Sequence, residues 1–337
     1  MVNQSDAPFR LLTRRYGATL TYTQMLDPNQ LLNDREYLEF HLRDLQSTHH
    51  GWDVYTRPVI VQLCGNDPEV VVKAAKQVQT YCDGIDLNLG CPQEHAREGH
   101  FGGYLLNKKD WPLINSIVSA MSHSLAVPSS AKIRLCASAK TVDLGRLLEH
   151  AGASWVTLHA RHVSAKRRRQ GAADLDAVQE LKDALTVPVV SNGNVRTFSD
   201  IHDNMAYTRA DGAMVGETLL GNPCLFSGDD IRDPVHMSLE YLDICKVLPE
   251  VTTLKTIQAH VRHIIEFQCV RRPWYSKFRL ALNECDSVDE IEALLRGKAG
   301  KAPGVAEEPE SRDPEDEHKD SNLDDLGDTF DHVSYSG

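Results

Sequence analysis

A chain of 337 residues, 41% hydrophobic and 25% charged, holds enough apolar material for one large α/β core and a smaller second one. No run approaches the ~20 apolar residues of a membrane span, and the start, Met1-Val2-Asn3-Gln4-Ser5-Asp6, carries no basic-then-apolar signal of a secretory leader. The net charge of −12 argues at first against a nucleic-acid partner, but residues 305–337 hold twelve acids against Arg312 and Lys319, which leaves residues 1–304 at only −2.

Taken in order, Ser5 or Asp6 can cap a first helix that runs to Arg15, with Phe9, Leu11 and Leu12 on its apolar side. Gly17 ends it, and Ala18 to Thr23 reads as a strand. A loop with a helical portion from Asn29 to Leu45 leads to the strand Val59-Ile60-Val61-Gln62-Leu63. Asp67-Pro68-Glu69 is a strong helix start: a capping oxygen, proline at the first helical position, and an acid in the first turn. Val71, Ala74, Ala75 and Val78 follow at helical spacing and predict one apolar stripe.

Gly84 to Leu89 alternates apolar Ile85, Leu87 and Leu89 with polar Asp86 and Asn88, the period of a strand. It stops at Gly90-Cys91-Pro92, where glycine permits a sharp turn and proline blocks further pairing. A small buried residue is the commoner fate of a cysteine at a strand end. Delivered beside Asn88, this one is a candidate for chemistry. A helix then fills Trp111 to Leu125. Strands at 130–135, 155–159, 189–191 and 212–215 alternate with helices at 141–150, 174–185 and 197–205, which means a parallel sheet.

Seven strands each followed by a helix, nearly all ending in a polar or turn residue, favour a (β/α)8 TIM barrel over a doubly wound sheet. Placing 189–191 and 212–215 as strands seven and eight leaves the first strand missing at the front, so a truncated chain is expected. Residues 1–232 form the expected barrel and 233–296 a helical domain. Residues 297–337 form an acidic tail too poor in large apolar residues to fold.

Lys132 inside a buried strand needs a partner or a use. A cation there suits the carbonyl edge of a flavin, where reduction places negative charge, and Gln62 suits the same ring. His159 suits its ribityl or phosphate end. Asn192-Gly193-Asn194 offers backbone N–H groups on a glycine turn, suited to phosphate. There is no Gly-x-Gly-x-x-Gly or P-loop signature. In the helical region Arg271-Arg272-Pro273-Trp274-Tyr275-Ser276-Lys277-Phe278-Arg279 interleaves cations with aromatics, as a nucleic-acid surface does. The alternative is a solvated face with Trp274 and Phe278 in the core. A second basic run, Lys166-Arg167-Arg168-Arg169, follows the His159 strand. Eight cysteines without a Cys-x-x-Cys pair fit reduced thiols of the cytoplasm or nucleus and no metal site.

Asp86-Leu87-Asn88-Leu89-Gly90-Cys91-Pro92, Gln62 before Asn66-Asp67-Pro68, and Lys132-Ile133-Arg134 closely resemble the tRNA-dihydrouridine synthases, particularly the eukaryotic type acting at positions 16 and 17. Leu158-His159-Ala160-Arg161, Asn192-Gly193-Asn194 and Gly221-Asn222-Pro223-Cys224-Leu225-Phe226 continue the resemblance to about residue 280. It implies an FMN-binding barrel followed by a tRNA-binding helical domain, NADPH or NADH as reductant, and Cys91 as the catalytic acid. Met1, Val2, Gln62, Lys132, His159, Asn192, Gly193, Asn194, Gly216 and Glu217 would bind FMN. Asn88, Arg134, Arg161, Lys166, Arg167, Arg168, Arg271, Arg272 and Lys277 would meet the RNA. Glu217 stands where several branches of the family carry an arginine, and Ser164 to Gln170 replaces the usual loop. Two other readings compete: another FMN barrel such as a dihydroorotate dehydrogenase or ene-reductase, and a catalytically inactive RNA-binding homologue.

Overall fold

The structure, a computed structural model, describes residues 4–46, 57–137, 140–164, 171–228 and 230–299. Seven strands pair in parallel and in chain order: β1 (Thr21–Leu26), β2 (Val59–Leu63), β3 (Gly84–Leu89), β4 (Ser129–Leu135), β5 (Val156–His162), β6 (Val189–Asn192) and β7 (Gly212–Met214). Every strand expected between residues 18 and 215 is present, with ends shifted by a few residues.

The two-residue period of the strands divides the sheet into two unlike faces. Val61, Leu63, Ile85, Leu87, Leu89, Ile133, Val156 and Leu158 turn outward into a buried apolar layer beneath the helices. Val71, Ala74, Ala75 and Val78 of α4 (Pro68–Val78) meet them there, and Asp67 caps that helix by accepting from the Glu69 and Val70 N–H groups. Helices α2 (Pro28–Asn33), α3 (Arg35–Gln46), α6 (Trp111–Ser124), α7 (Thr141–His150), α8 (Leu175–Ala184) and α9 (Phe198–Thr208) make up the rest of the shell, with a short α5 (Glu94–Glu98) after Cys91. The same period sends Asp86, Asn88, Ser130, Lys132, Thr157, His159 and Arg161 to the opposite face. That face curls inward: Trp155 Nε1, just before β5, donates to the Tyr22 hydroxyl of β1 at 2.9 Å. The chemistry-bearing residues therefore face a barrel-like interior.

Among the described residues no pairing joins β7 to β1. The two flanks of the sheet meet through irregular chain instead. At Gly17, with φ +101°, an added Cβ would stand 2.9 Å from the Phe226 carbonyl oxygen, so only glycine permits this approach.

After α10 (Glu217–Gly221) the chain is helical: α11 (Pro234–Val247), α12 (Leu254–Cys269), α13 (Tyr275–Asn283) and α14 (Val288–Ala299). Tyr241, Val261, Ile265, Phe278, Leu282 and Ile291 form a second core. The apolar side of α1 (Ala7–Arg15) belongs to that core, through Phe9, Leu11 and Leu12, and not to the layer beneath the sheet.

The expected side-chain cap of α1 is corrected here. Asp6 occupies the N-cap position but caps nothing. Its carboxylate is turned into the helical core, where it accepts from the Tyr241 hydroxyl at 2.8 Å and lies 3.0 Å from His260 Nε2. Asp44 of α3 substitutes for it: Asp44 Oδ1 accepts from the Ala7 N–H at 2.7 Å, and Oδ2 pairs with Arg10 at 2.8 Å. A buried imidazole within reach outcompetes a backbone N–H that another carboxylate can serve.

No helix among the described residues is long and apolar enough to cross a membrane. The acidic tail expected at 297–337 lies outside the described residues beyond Ala299.

Candidate active site

Asn88 bends the end of β3. Its Oδ1 accepts from the N–H groups of both Gly90 and Cys91 at 2.9 Å, a side-chain turn that holds the cysteine just past the strand. The amide group of Asn88 continues downward, with Nδ2 donating to Gln62 Oε1 at 2.9 Å and Gln62 Nε2 donating to Asp86 Oδ2 at 2.9 Å. Ser130 Oγ donates to the other oxygen of Asp86 at 2.6 Å. Cys91 is 8% exposed, and its Sγ lies 3.8 Å from Gln93 Oε1.

Two glycines that the sequence alone does not single out press on Cys91 from the far side. The Gly103 N–H donates to the Cys91 carbonyl at 3.0 Å. Gly102 has φ +62°, and a Cβ there would stand 3.0 Å from Cys91 Cβ. The signal is the Gly-Gly pair eleven residues downstream, but nothing local says what it approaches. Gly102→Ala is expected to displace the Cys91 turn and lower stability by about 1–2 kcal/mol. A urea midpoint and the alkylation rate at Cys91 check it.

Next to this turn stands a crowd of cations. Lys132 and Arg134 on β4 are in register with Thr157 and His159 on β5. Burial pushes the Lys132 amine down to about 8, and the Arg134 charge adds to this against the pull of Asp86 and Cys91. Burial likewise drives the His159 imidazole far below its ordinary value, helped by Lys132, Arg134 and Arg161, so the ring is neutral. Arg134 is lowered by burial too, with Cys91 opposing. Arg134 lies under the thiol turn, its stem against Gly90 and its Nη1 donating to the His162 carbonyl at 3.0 Å. Arg161 Nη2 reaches Asn194 Oδ1 at 3.5 Å.

Asp86 is fully buried, and burial raises its carboxyl to about 6 from 3.8, against the bonds from Ser130 and Gln62 and the charge of Lys132. Because the folded value is raised, its contribution to stability is complete below about pH 4 and lost as pH rises through 6. Ionised Asp86 at about pH 7 therefore costs of the order of 3 kcal/mol. Asp86→Asn is expected to raise the denaturant midpoint at neutral pH, with the gain fading toward pH 4.

The turn after β6 lies beside His159. Gly193 has φ +127°, and a Cβ there would meet Ala173 Cβ at 2.7 Å and His159 Cδ2 at 3.7 Å. The flanking side chains hold the turn in place. Asn192 Nδ2 donates to the Met214 carbonyl at 2.8 Å, and the Asn194 amide bonds both backbone groups of Ala173 at 2.7 and 2.8 Å. What the turn can present to a ligand is its backbone. Gly216 and Glu217 start α10 nearby, tied to the same loop by Thr218 Oγ1 donating to the Val195 carbonyl at 2.7 Å.

Arg271 and Arg272, in the turn between α12 and α13, and Lys277 on α13 are exposed. Phe278 is buried, and Trp274 meets it edge-on at 5.9 Å, so the aromatics of that run serve the helical core. Met1, Val2, Lys166, Arg167 and Arg168 lie outside the described residues.

The Dihydrouridine synthase (Dus) family profile matches residues 1–304. A Mus musculus protein named tRNA-dihydrouridine(16/17) synthase, NAD(P)(+)-like, is 39% identical over 266 residues, 77% of this chain and 53% of that protein. The tRNA-dihydrouridine(16/17) synthase of Saccharomyces cerevisiae is 39% identical over 266 residues, 76% of this chain and 61% of that protein. A Homo sapiens protein named tRNA-dihydrouridine(20a/20b) synthase, NAD(P)+-like, is 32% identical over 270 residues, 79% of this chain and 80% of that protein. The chain thus spans about half the length of the mouse relative. Among solved structures, a 2-naphthoyl-CoA reductase in complex with 2-naphthoyl-CoA aligns with TM-score 0.52 at 10% identity, over 67% of this chain and 46% of that one, a likeness of fold alone. With the profile running through both the curled sheet and the helical core, and a human relative aligned over four-fifths of its own length, this chain belongs to the dihydrouridine synthase family.

Proposed function

We propose that this chain reduces uridines of the tRNA D-loop, at positions 16 and 17, to 5,6-dihydrouridine, with FMN as cofactor and NADPH or NADH as reductant. One observation carries the reading: the turn that holds Cys91 abuts the cationic strand, with Asn88 paired to Lys132 across β3 and β4, Gly90 against the stem of Arg134, and Arg134 paired to His159 across β4 and β5. This adjacency supports taking the thiol and the cationic rim as one site. The names of the 16/17 relatives support the position.

The residues fit a flavin mononucleotide. Lys132, Arg134 and Arg161 bear on one another and on a neutral His159, and such a crowd favours an anion. The glycine turn at 192–194 adds backbone donors of the kind that take phosphate. Gln62, Lys132, His159, the 192–194 turn and Gly216-Glu217 would hold the cofactor. When bound, the flavin supplies hydride to C6 of uracil after reduction by the nicotinamide.

The protein's own groups do the rest. Cys91 holds a proton on Sγ and delivers it to C5. A thiol is a far stronger acid than a hydroxyl, which suits it to give up a proton to C5 as the hydride arrives at C6. Asn88 fixes the turn that carries this thiol. The near-complete burial of Cys91 keeps bulk water from the transferred proton. The uridine must leave its stack to enter, so the enzyme must grip RNA by shape and phosphates. Arg271, Arg272 and Lys277 supply exposed charge for that grip, and Lys166 to Arg168 add three more cations to the sequence that follows β5.

The test is direct. The purified chain should absorb as a flavoprotein and place dihydrouridine at positions 16 or 17 of unmodified tRNA with NADPH or NADH. A flavin that oxidises the nicotinamide while tRNA stays unreduced would overturn the reading. Changing Arg271, Arg272 and Lys277 together to glutamine is expected to weaken tRNA binding. Its salt dependence should flatten by about one in slope for each phosphate that is no longer neutralised. Titrations at several salt concentrations measure this.

A further inference from the structure

Asp86 takes no part in that chemistry, yet the sheet register aims it at the thiol turn. Gln62 and Asp86 are direct partners across β2 and β3, and Asp86 and Ser130 across β3 and β4. Asn88 lies two residues along on the same face. The result is one unbroken line: Ser130 to Asp86, Gln62 to Asp86, Asn88 to Gln62, and the Gly90 and Cys91 N–H groups to Asn88.

A side-chain amide has one accepting and one donating end, so a line of two amides has a direction. Turning Gln62 over would set its oxygen against a carboxylate oxygen and its NH2 against the NH2 of Asn88. Turning Asn88 over would set its NH2 against two backbone N–H groups. The hydroxyl of Ser130 can rotate and does not impose a direction. We propose that Asp86 is a positioning residue for Cys91: its buried carboxylate, which only accepts, sets the sense of the Gln62 and Asn88 amides and so keeps the Asn88 oxygen on the Cys91 N–H. The inference rests on the reading of Cys91 as the acid of the reaction.

Substitutions at Asp86 separate this role from simple packing. Asp86→Asn keeps an oxygen for Gln62, because its NH2 can face Ser130 and the hydroxyl can turn to accept. Asp86→Leu, close in volume, offers no acceptor. The first readout is hydrogen exchange at the Gly90 and Cys91 amides of the protein without tRNA or reductant. The second is steady-state reduction of tRNA. Asp86→Asn is expected to keep both amides protected and kcat within about threefold of wild type. Asp86→Leu is expected to expose both amides and lower kcat by about 100-fold, with KM for tRNA unchanged.

A second variant keeps the test decisive where Asp86→Leu fails to fold. Ser130→Ala alone is expected to be mild. Combined with Asp86→Asn it removes the acceptor for the new NH2 and favours the reversed line, for a loss about tenfold beyond the product of the single effects. Protected amides and wild-type kcat in Asp86→Leu, or effects in the double variant that merely multiply, would overturn the proposal. Exchange is read without turnover. A wild-type protein that forms no dihydrouridine but shows the expected exchange pattern therefore refutes the reaction and leaves the relay standing.

Discussion

Cys91→Ala is expected to keep its flavin and lose uridine reduction by a factor of about 10²–10⁴, the range of a single general acid. Retention of the cofactor follows from how the turn is held. The bonds that fix residue 91 run through its backbone, from its N–H to Asn88 Oδ1 and to its carbonyl from the Gly103 N–H, and alanine keeps both. The cations of the rim stand on β4 and β5 and do not depend on the thiol for their position. Cys91→Ser should also be slow, because a hydroxyl at the same place is a far weaker acid than a thiol. The decisive comparison is the visible spectrum beside the rate of dihydrouridine formation. An alanine variant that turns over at the wild-type rate would move the proton donor elsewhere, and Lys132, lowered to about 8, would be the first place to look.

The largest loss of stability is expected at His260, far from the thiol. Asp6 is buried, and burial acts to raise its carboxyl. His260, Thr252 and Tyr241 outweigh that and hold it below its ordinary value. The imidazole also stacks on Phe9 at 4.3 Å. His260→Ala leaves a buried carboxylate short of its imidazole partner, and such losses typically amount to about 3–5 kcal/mol. The pH dependence should change sign as well. In the wild type, where the folded value is depressed, the Asp6 contribution is present above about pH 4 and lost as pH falls through the folded value. In His260→Ala burial dominates and raises the folded value, so that contribution should shrink as pH rises from about 4 to 7. Urea midpoints across that range, for the two proteins, measure both the size and the sign. Equal midpoints and parallel curves would show that the pair contributes nothing.

What can be read from the sequence is whatever is decided locally. The alternation at 84–89 declares both faces of β3, and Asp67-Pro68 declares the start of α4, because each signal lies within a few residues of its effect. The rim residues are legible for the same reason: a parallel sheet brings strand ends together whatever the rest does. Asp6 reads as a cap because its true partners, Tyr241 and His260, are more than 230 positions away. Gly102 and Gly103 pass unnoticed because their work is to let Cys91 come close, and closeness is not a local property. Asp86 looks like the polar phase of a strand until the register places Gln62 and Ser130 on either side of it.

The first helix has a last consequence, for how the parts of the molecule can move. Phe9, Leu11 and Leu12 are seated among α11 to α14, while Arg10 is clamped by Asp44 of the sheet's own shell and Gly17 is pinned beneath Phe226. A hinge between the two halves would have to tear this helix from one of them. On the proposed reading, the surface that grasps the RNA and the sulfur that protonates its base therefore keep a constant separation, as the jaws of a locked calliper do. The protein would select a nucleotide by its measured distance along a folded RNA, and a graft of the helical half onto another barrel would have to bring residues 4–17 along with it.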